Sequence, residues 1–163
     1  MKTKIPIKYL PKSLTKKDKA NQLKMLQKSK KMYKKQQYYT RNKVSSYPTK
    51  KSIHILKAQK IYNIQNIAPN KELSLKSGCS INALNQIIKK GEGAYYSSGS
   101  RPNQTPQSWG LARLASSLTG GKAAAVDYTI IDKGCKHNKP AFKLANKSKH
   151  HKYGLTKNKK VTV

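Results

Sequence analysis

Acidic side chains are almost missing from this 163-residue chain: five Asp and Glu stand against 36 Lys and Arg, a formal net charge of +31. That scarcity excludes an acidic-tail chaperone. Self-repulsion on this scale disfavours a compact chain, so the charge points to an anionic partner. Long apolar runs are also missing. None approaches the ~20 residues that a membrane span needs, and the opening MKTKIPIKYLPK lacks the uninterrupted apolar core of a secretory signal. There are only two cysteines, Cys79 and Cys135, too few for a disulfide framework, which makes a reducing compartment the default. Hydrophobic residues amount to 36%, below the ~45–50% apolar content of ordinary domains. A modest core with solvated arms is expected rather than a full-length globule.

Arginine is scarce too: three residues against 33 lysines. Arg forks clamp phosphates and read guanine edges, whereas Lys acts as a mobile point charge. A lysine-held partner is gripped by its backbone more than read by its sequence, although an AT-rich genome produces the same bias. The charge is unevenly placed. Residues 1–60 carry net +18, residues 61–134 only +4, and residues 135–163 carry +9. This predicts a basic helical arm over 1–43, a core over 44–134 and a basic C-terminal tail over 135–163. The arm, with 15 basic residues and one acid, contains little that a core requires.

Thr15 followed by Asp18 resembles a capping box, and no Gly or Pro interrupts the chain from there to Tyr39. A helix is expected, with Leu23, Leu26 and Tyr33 as a narrow apolar stripe broken by Lys30. Lys16, Lys24, Lys28, Lys31, Lys35 and Arg41 are the candidate phosphate contacts; an anionic membrane surface is the alternative for such a helix. Tyr38, Tyr39, Tyr47 and Tyr62 interleave aromatics with charge, which suits stacking on bases or plain packing. Ser52 caps a helix running to about Lys60, with Ile53, Leu56, Ile61 and Ile64 as its apolar residues. An extended segment follows, giving a small sheet around residues 60–68 as an option.

KELSLKSGCSINALNQIIKKG at 71–91 reads as helix, tight turn, helix. Leu73 and Leu75 are available for packing on the first helix, and Gly78 suits a left-handed C-cap. Ser80 caps a second helix with Ala83, Leu84, Ile87 and Ile88 on one face, ended by Gly91. The pattern resembles the helix-turn-helix family, whose second helix enters the major groove. That resemblance implies that Ser80, Asn82, Asn85 and Gln86 face bases or phosphates and that Lys89 and Lys90 face the backbone. An ordinary helical hairpin satisfies the same pattern.

From Gly91 to Thr105 the density of Gly, Ser, Pro and Asn argues against a helix. Thr105 or Ser108 then starts a helix with Leu111, Leu114, Ala115 and Leu118 on one face. Gly120-Gly121 ends it, and a further apolar helix spans Lys122 to Ile131, closed by Gly134. Trp109 lies off that apolar face and must bury itself against another segment, such as the helix after Lys122. The Gly/Ser loop with Arg101, and Thr119-Gly120-Gly121-Lys122, are candidate phosphate cradles or plain turns. No Walker loop or G-x-S-x-G occurs. Glu92, Asp127 and Asp132 are better explained as partners of the lysine excess than as acid/base groups. The spacing of Cys135, His137, His150 and His151 matches no zinc module, so neither a metal nor a cofactor is expected.

The segments KKGEGAYYSSGSRPNQTPQSWGLARLAS and LTGGKAAAVDYTIIDKGC, with YLPKSLTKKDK, YYTRNKV and HILKA before them, resemble an uncharacterised domain family of large nucleocytoplasmic DNA viruses and phages. The resemblance runs from about Tyr9 to Leu144. It implies a viral setting, in the virion and the host cytoplasm or nucleus, and transfers no catalytic residue. The expected fold is mainly α, a small helical core with a helix-turn-helix-like hairpin and basic arms. The expected function is phosphate-backbone binding that neutralises, organises or packages nucleic acid, double-stranded DNA first. A structural virion protein whose arms contact other subunits is the alternative, and an enzyme acting on nucleic acid the third reading.

Overall fold

A computed structural model describes residues 3–150 and 159–163, with His150 described by its backbone alone. The fold is mainly helical with one two-stranded sheet among the described residues. Strand β1 (Lys4–Pro6) leads into helix α1 (Lys16–Lys34), followed by α2 (Ile53–Tyr62), α3 (Lys71–Ser77) and α4 (Ile81–Ser97). Then come α5 (Pro106–Leu118), α6 (Lys122–Val126), α7 (Tyr128–Gly134), α8 (Pro140–His150) and strand β2 (Lys160–Thr162). The chain forms two compact units, each discontinuous in sequence: residues 3–50, 92–109 and 159–163 make the first, and 51–91 with 110–150 the second. The boundaries expected at 43/44 and 134/135 therefore do not coincide with those of the folded units.

In the first unit, β1 and β2 pair antiparallel with Ile5 opposite Val161. The sheet thus joins the two ends of the chain, and no strand forms around residues 60–68. The Thr15 hydroxyl accepts the Asp18 amide at 3.2 Å and caps α1 as expected. The reciprocal half of the box is completed at a distance. Ser46 donates its amide (2.8 Å) and its hydroxyl to the Asp18 carboxylate, and its oxygen accepts the Thr15 amide at 3.1 Å. The buried stripe of α1 is more polar than Leu23, Leu26 and Tyr33 suggested: it is Asp18, Gln22, Leu26 and Ser29. Tyr9, Leu10, Leu14, Leu26 and Val44 form this unit's core, with Trp109 packed against it. The segment from Ile5 to Val44 thus supplies the buried residues of this core. Trp109 meets the Tyr9 ring edge-on at 6.3 Å, not the helix after Lys122.

The second unit buries Tyr62, Leu73, Leu84, Ile87, Leu114, Leu118 and Ile131, among others. Ser52 caps α2 by accepting the His54 amide, as expected. The buried residues of α2, however, are Ala58 and Tyr62, while Ile53, Leu56 and Ile61 are exposed. On α3, Leu73 is buried and Leu75 exposed; Gly78 takes the left-handed C-cap (φ 84°). Helix α4 does not stop at Gly91 but continues to Ser97, six residues into the stretch where glycine density argued against helix. The physical reason lies across the core: a Cβ on Gly91 would sit 2.6 Å from the Gly110 Cα. Two glycines let the backbones of α4 and α5 touch, and tertiary packing overrides propensity.

The apolar segment expected as one helix from Lys122 to Ile131 is split at Asp127 into α6 and α7. That carboxylate is fully buried and takes a bidentate pair from Arg113 (3.0 and 2.7 Å) and a bond from Ser117 (2.8 Å). Much of the presumed tail is also structured, since α8 buries Ala141 and Ala145 in the core. Finally, Cys79 and Cys135 are disulfide-bonded, which corrects the reading of a chain without a covalent staple. Backbone bonds of 2.9 Å, from Ser80 to Gly134 and from Lys136 to Gly78, flank the bridge.

Candidate functional site

Lysines at 17, 24 and 28 are separated by seven and four residues, so a 3.6-residue helix puts them on one face of α1 with Asn21. With a rise of 1.5 Å per residue the row extends about 16 Å, and Lys31 and Lys35 prolong it towards the helix end. This face forms one wall of an open groove of about 560 Å³. The opposite wall is the extended segment Tyr39–Ser45, bringing Tyr39, Asn42 and Lys43. Side chains pin that wall in place. Asn103 accepts the Val44 amide (2.7 Å) and donates to the carbonyls of Val44 (3.2 Å) and Tyr47 (2.6 Å).

The groove's electrostatics follow from its one carboxylate. Hydrogen bonds from Ser46, together with neighbouring Lys17, hold the Asp18 carboxyl below its ordinary pKa. Four lysines in the walls against that one carboxylate leave the groove with an excess of positive charge. Lys28 places its ammonium 4.4 Å from the centre of the Tyr39 ring. A row of point charges suits a partner whose own charges repeat, such as a polyphosphate backbone, better than a single small anion.

At the C-terminal end of α1 the chain reverses through a left-handed residue, Gln36 (φ 58°). The turn folds Tyr38 back beside Tyr33 (ring centres 6.2 Å apart) and against Tyr96 of α4 (5.1 Å). Tyr33 and Tyr96 lie 6.4 Å apart with planes within 7° of parallel. Tyr38 is 67% exposed and Tyr33 37%. Beneath them, Tyr95 is buried against Arg41, whose guanidinium carbon lies 3.7 Å from the ring centre.

Of the residues singled out in the sequence, Lys24 and Lys28 line the groove and Lys31 and Lys35 stand exposed beyond it. Lys16 is exposed, one residue out of register with the row; Lys17 occupies the place assigned to it. Arg41 is corrected. It is 7% exposed and donates to Ser29 (2.8 Å), the Tyr95 carbonyl (3.0 Å) and Ser100 (2.8 Å), so its role is internal. Burial lowers its pKa from the usual guanidinium value, opposed by the surrounding tyrosines.

In the second unit, Ser80, Asn82, Asn85, Gln86, Lys89 and Lys90 are all exposed on α4 or at its cap. The Ser80 hydroxyl accepts the Ala83 amide at 3.1 Å as the helix cap, and Lys90 lies 3.8 Å from Asp127. Arg101 is exposed, but its Gly/Ser loop is packed: Pro102 is buried, and a Cβ on Gly99 would meet Leu26 and Tyr9 at 3.0 Å. Lys122 opens α6, a helix of five residues. The amides of Thr119 and Gly121 before it donate to the Ser116 carbonyl, which closes the turn between α5 and α6. The His137 ring stacks on Phe142 at 3.8 Å and its Nε2 lies 3.1 Å from Asp132. The His150 side chain and His151 lie outside the described residues.

Periodicity held the signal for Lys17 and Lys43 only in part. The 17-24-28 spacing is visible in the sequence, whereas Lys43 and Tyr96 join their neighbours only through tertiary contacts. Among the described residues no helix is long and apolar enough to cross a membrane. No curated protein and no solved structure matches the chain. The model of a family of unknown function, DUF5824, matches residues 6–139 across α1 to α7, and the chain belongs to that family.

Proposed function

We propose that this protein binds nucleic acid, chiefly through its phosphates, with the lysine row of α1 as the main grip. The supporting observation is the groove: Lys17, Lys24 and Lys28 on one wall, Lys43 on the other, and a single carboxylate already engaged by Ser46. A net charge of +31 supplies attraction at longer range. The setting inferred from the sequence resemblance is viral, with the protein neutralising, organising or packaging DNA in the virion. The exposed amides Asn82 and Asn85 on α4 belong to the proposal as base contacts, since such side chains pair with adenine in the major groove. A second reading, a structural virion protein, is favoured by one observation: Ile53 (74% exposed) and Leu56 (49%) stand one turn apart on α2 with water around them.

The test is duplex binding measured across a salt series. Neutralising one phosphate-binding lysine lowers the slope of log K against log salt by ~0.9. The double variant Lys24→Gln, Lys28→Gln is expected to lower it by about 2. Lys133→Gln with Lys136→Gln, an exposed pair in the second unit, serves as the control. Equal slopes for the two double variants would remove the groove as the grip.

A further inference from the structure

We infer that the three-tyrosine cluster at the end of α1 is a stacking platform for unpaired bases, a contact that single-stranded nucleic acid can use and a duplex cannot. The inference rests on the nucleic-acid reading above and narrows it. Tyr33, Tyr38 and Tyr96 belong to one unit and come from two helices and the turn after Gln36. Ring centres 5.1–6.4 Å apart make one aromatic surface, and much of it meets water, with Tyr38 67% exposed. Exposed aromatics gathered this way mark a binding surface more often than scattered ones.

The supports under the platform are rigid. The amides of Lys35, Gln36 and Gln37 bond to the carbonyls of Met32 and Tyr33 and fix the turn that presents Tyr38. Tyr95 meets Tyr96 edge-on at 5.2 Å and is itself clamped by Arg41, whose amide donates to the Tyr95 hydroxyl at 2.8 Å. Pre-ordered rings give up little conformational freedom when a flat partner docks.

Charge selects the partner. Lys31, Lys34 and Lys35 surround the platform in sequence and are exposed. Tyr39, next in the chain to Tyr38, closes one part of the lysine groove. Lysines beside exposed stacking rings are the combination by which single strands are held without sequence preference. In a duplex the base faces are already covered by their neighbours, so the platform offers a duplex nothing that the lysines do not.

The test uses the full chain and fluorescence anisotropy with four probes: a single-stranded DNA, the RNA of the same sequence, the corresponding DNA duplex and heparin. Tyr38→Ala leaves the buried cores untouched. It is expected to weaken binding of both single strands about 5- to 100-fold, the range for removing the ring under one stacked base. Duplex and heparin affinities should change by less than about twofold, because neither offers a free base face. Tyr38→Trp should keep single-strand affinity, and Lys24→Gln with Lys28→Gln should weaken all four probes. A dependence on Tyr38 confined to one of the two strands identifies DNA or RNA as the partner. An unchanged single-strand affinity in Tyr38→Ala, or an equal loss for duplex and heparin, overturns the platform while leaving the lysine grip standing. If the unmodified protein binds heparin but neither single strands nor duplex, the nucleic-acid reading fails and the platform with it.

Discussion

Two glycines in α4, two residues apart, should respond in opposite directions to the same substitution. An ideal Cβ on Gly91 lies 2.6 Å from the Gly110 Cα, 3.3 Å from the Gly110 nitrogen and 3.2 Å from the Arg113 Cβ. Carbon atoms pack at about 3.5–4.0 Å, so Gly91→Ala forces the helix axes apart by roughly 1 Å. The closest atom is backbone and cannot swing away as a side chain would. Overpacking of this kind costs ~1–3 kcal/mol, against ~1 kcal/mol gained by removing glycine from a helix interior. The expected net effect is a loss of up to about 2 kcal/mol. At Gly93 a new Cβ meets nothing within 4 Å. There the propensity gain stands alone, and Gly93→Ala should stabilise by up to ~1 kcal/mol. Urea unfolding followed by far-ultraviolet circular dichroism reads both variants against the parent. A Gly91→Ala protein more stable than the parent, as Gly93→Ala is expected to be, would refute the close crossing of α4 and α5.

The Cys79–Cys135 bridge closes a loop with a sequence separation of 56. Chain-entropy arguments give about 4 kcal/mol for a loop of that length, so the Cys79→Ser, Cys135→Ser protein should unfold at markedly lower urea, and an unchanged midpoint would show the bridge is dispensable. Ser46→Ala should raise the depressed pKa of Asp18 towards its ordinary value of 3.8. A depressed carboxylate stabilises the fold above that value and loses its contribution as pH falls through the lowered one. The stability gap between parent and variant should therefore be widest near neutrality and close in strong acid; a gap independent of pH would contradict the Ser46–Asp18 bond.

Local chemistry sufficed for much of the framework. The caps at Thr15 and Ser52, the Gly78 turn and the exposed face of α4 each depend on residues within one or two helical turns, and such signals survive in any window of the chain. The lysine row is of the same kind, because a helix converts spacing into a face without help from the rest of the fold. Tertiary structure decided the remainder. Ile5 finds Val161, and Cys79 finds Cys135, across separations that no local pattern encodes. Gly91 stays helical because Gly110 lies against it. Arg41 is hidden because Ser29 of α1, Tyr95 near the end of α4 and Ser100 just after it take its donors. Tyr96 joins Tyr33 and Tyr38 through the same convergence. Composition and spacing fix what a short segment prefers, but which polar and aromatic groups meet depends on closing loops tens of residues long, a cost that only the packed core repays.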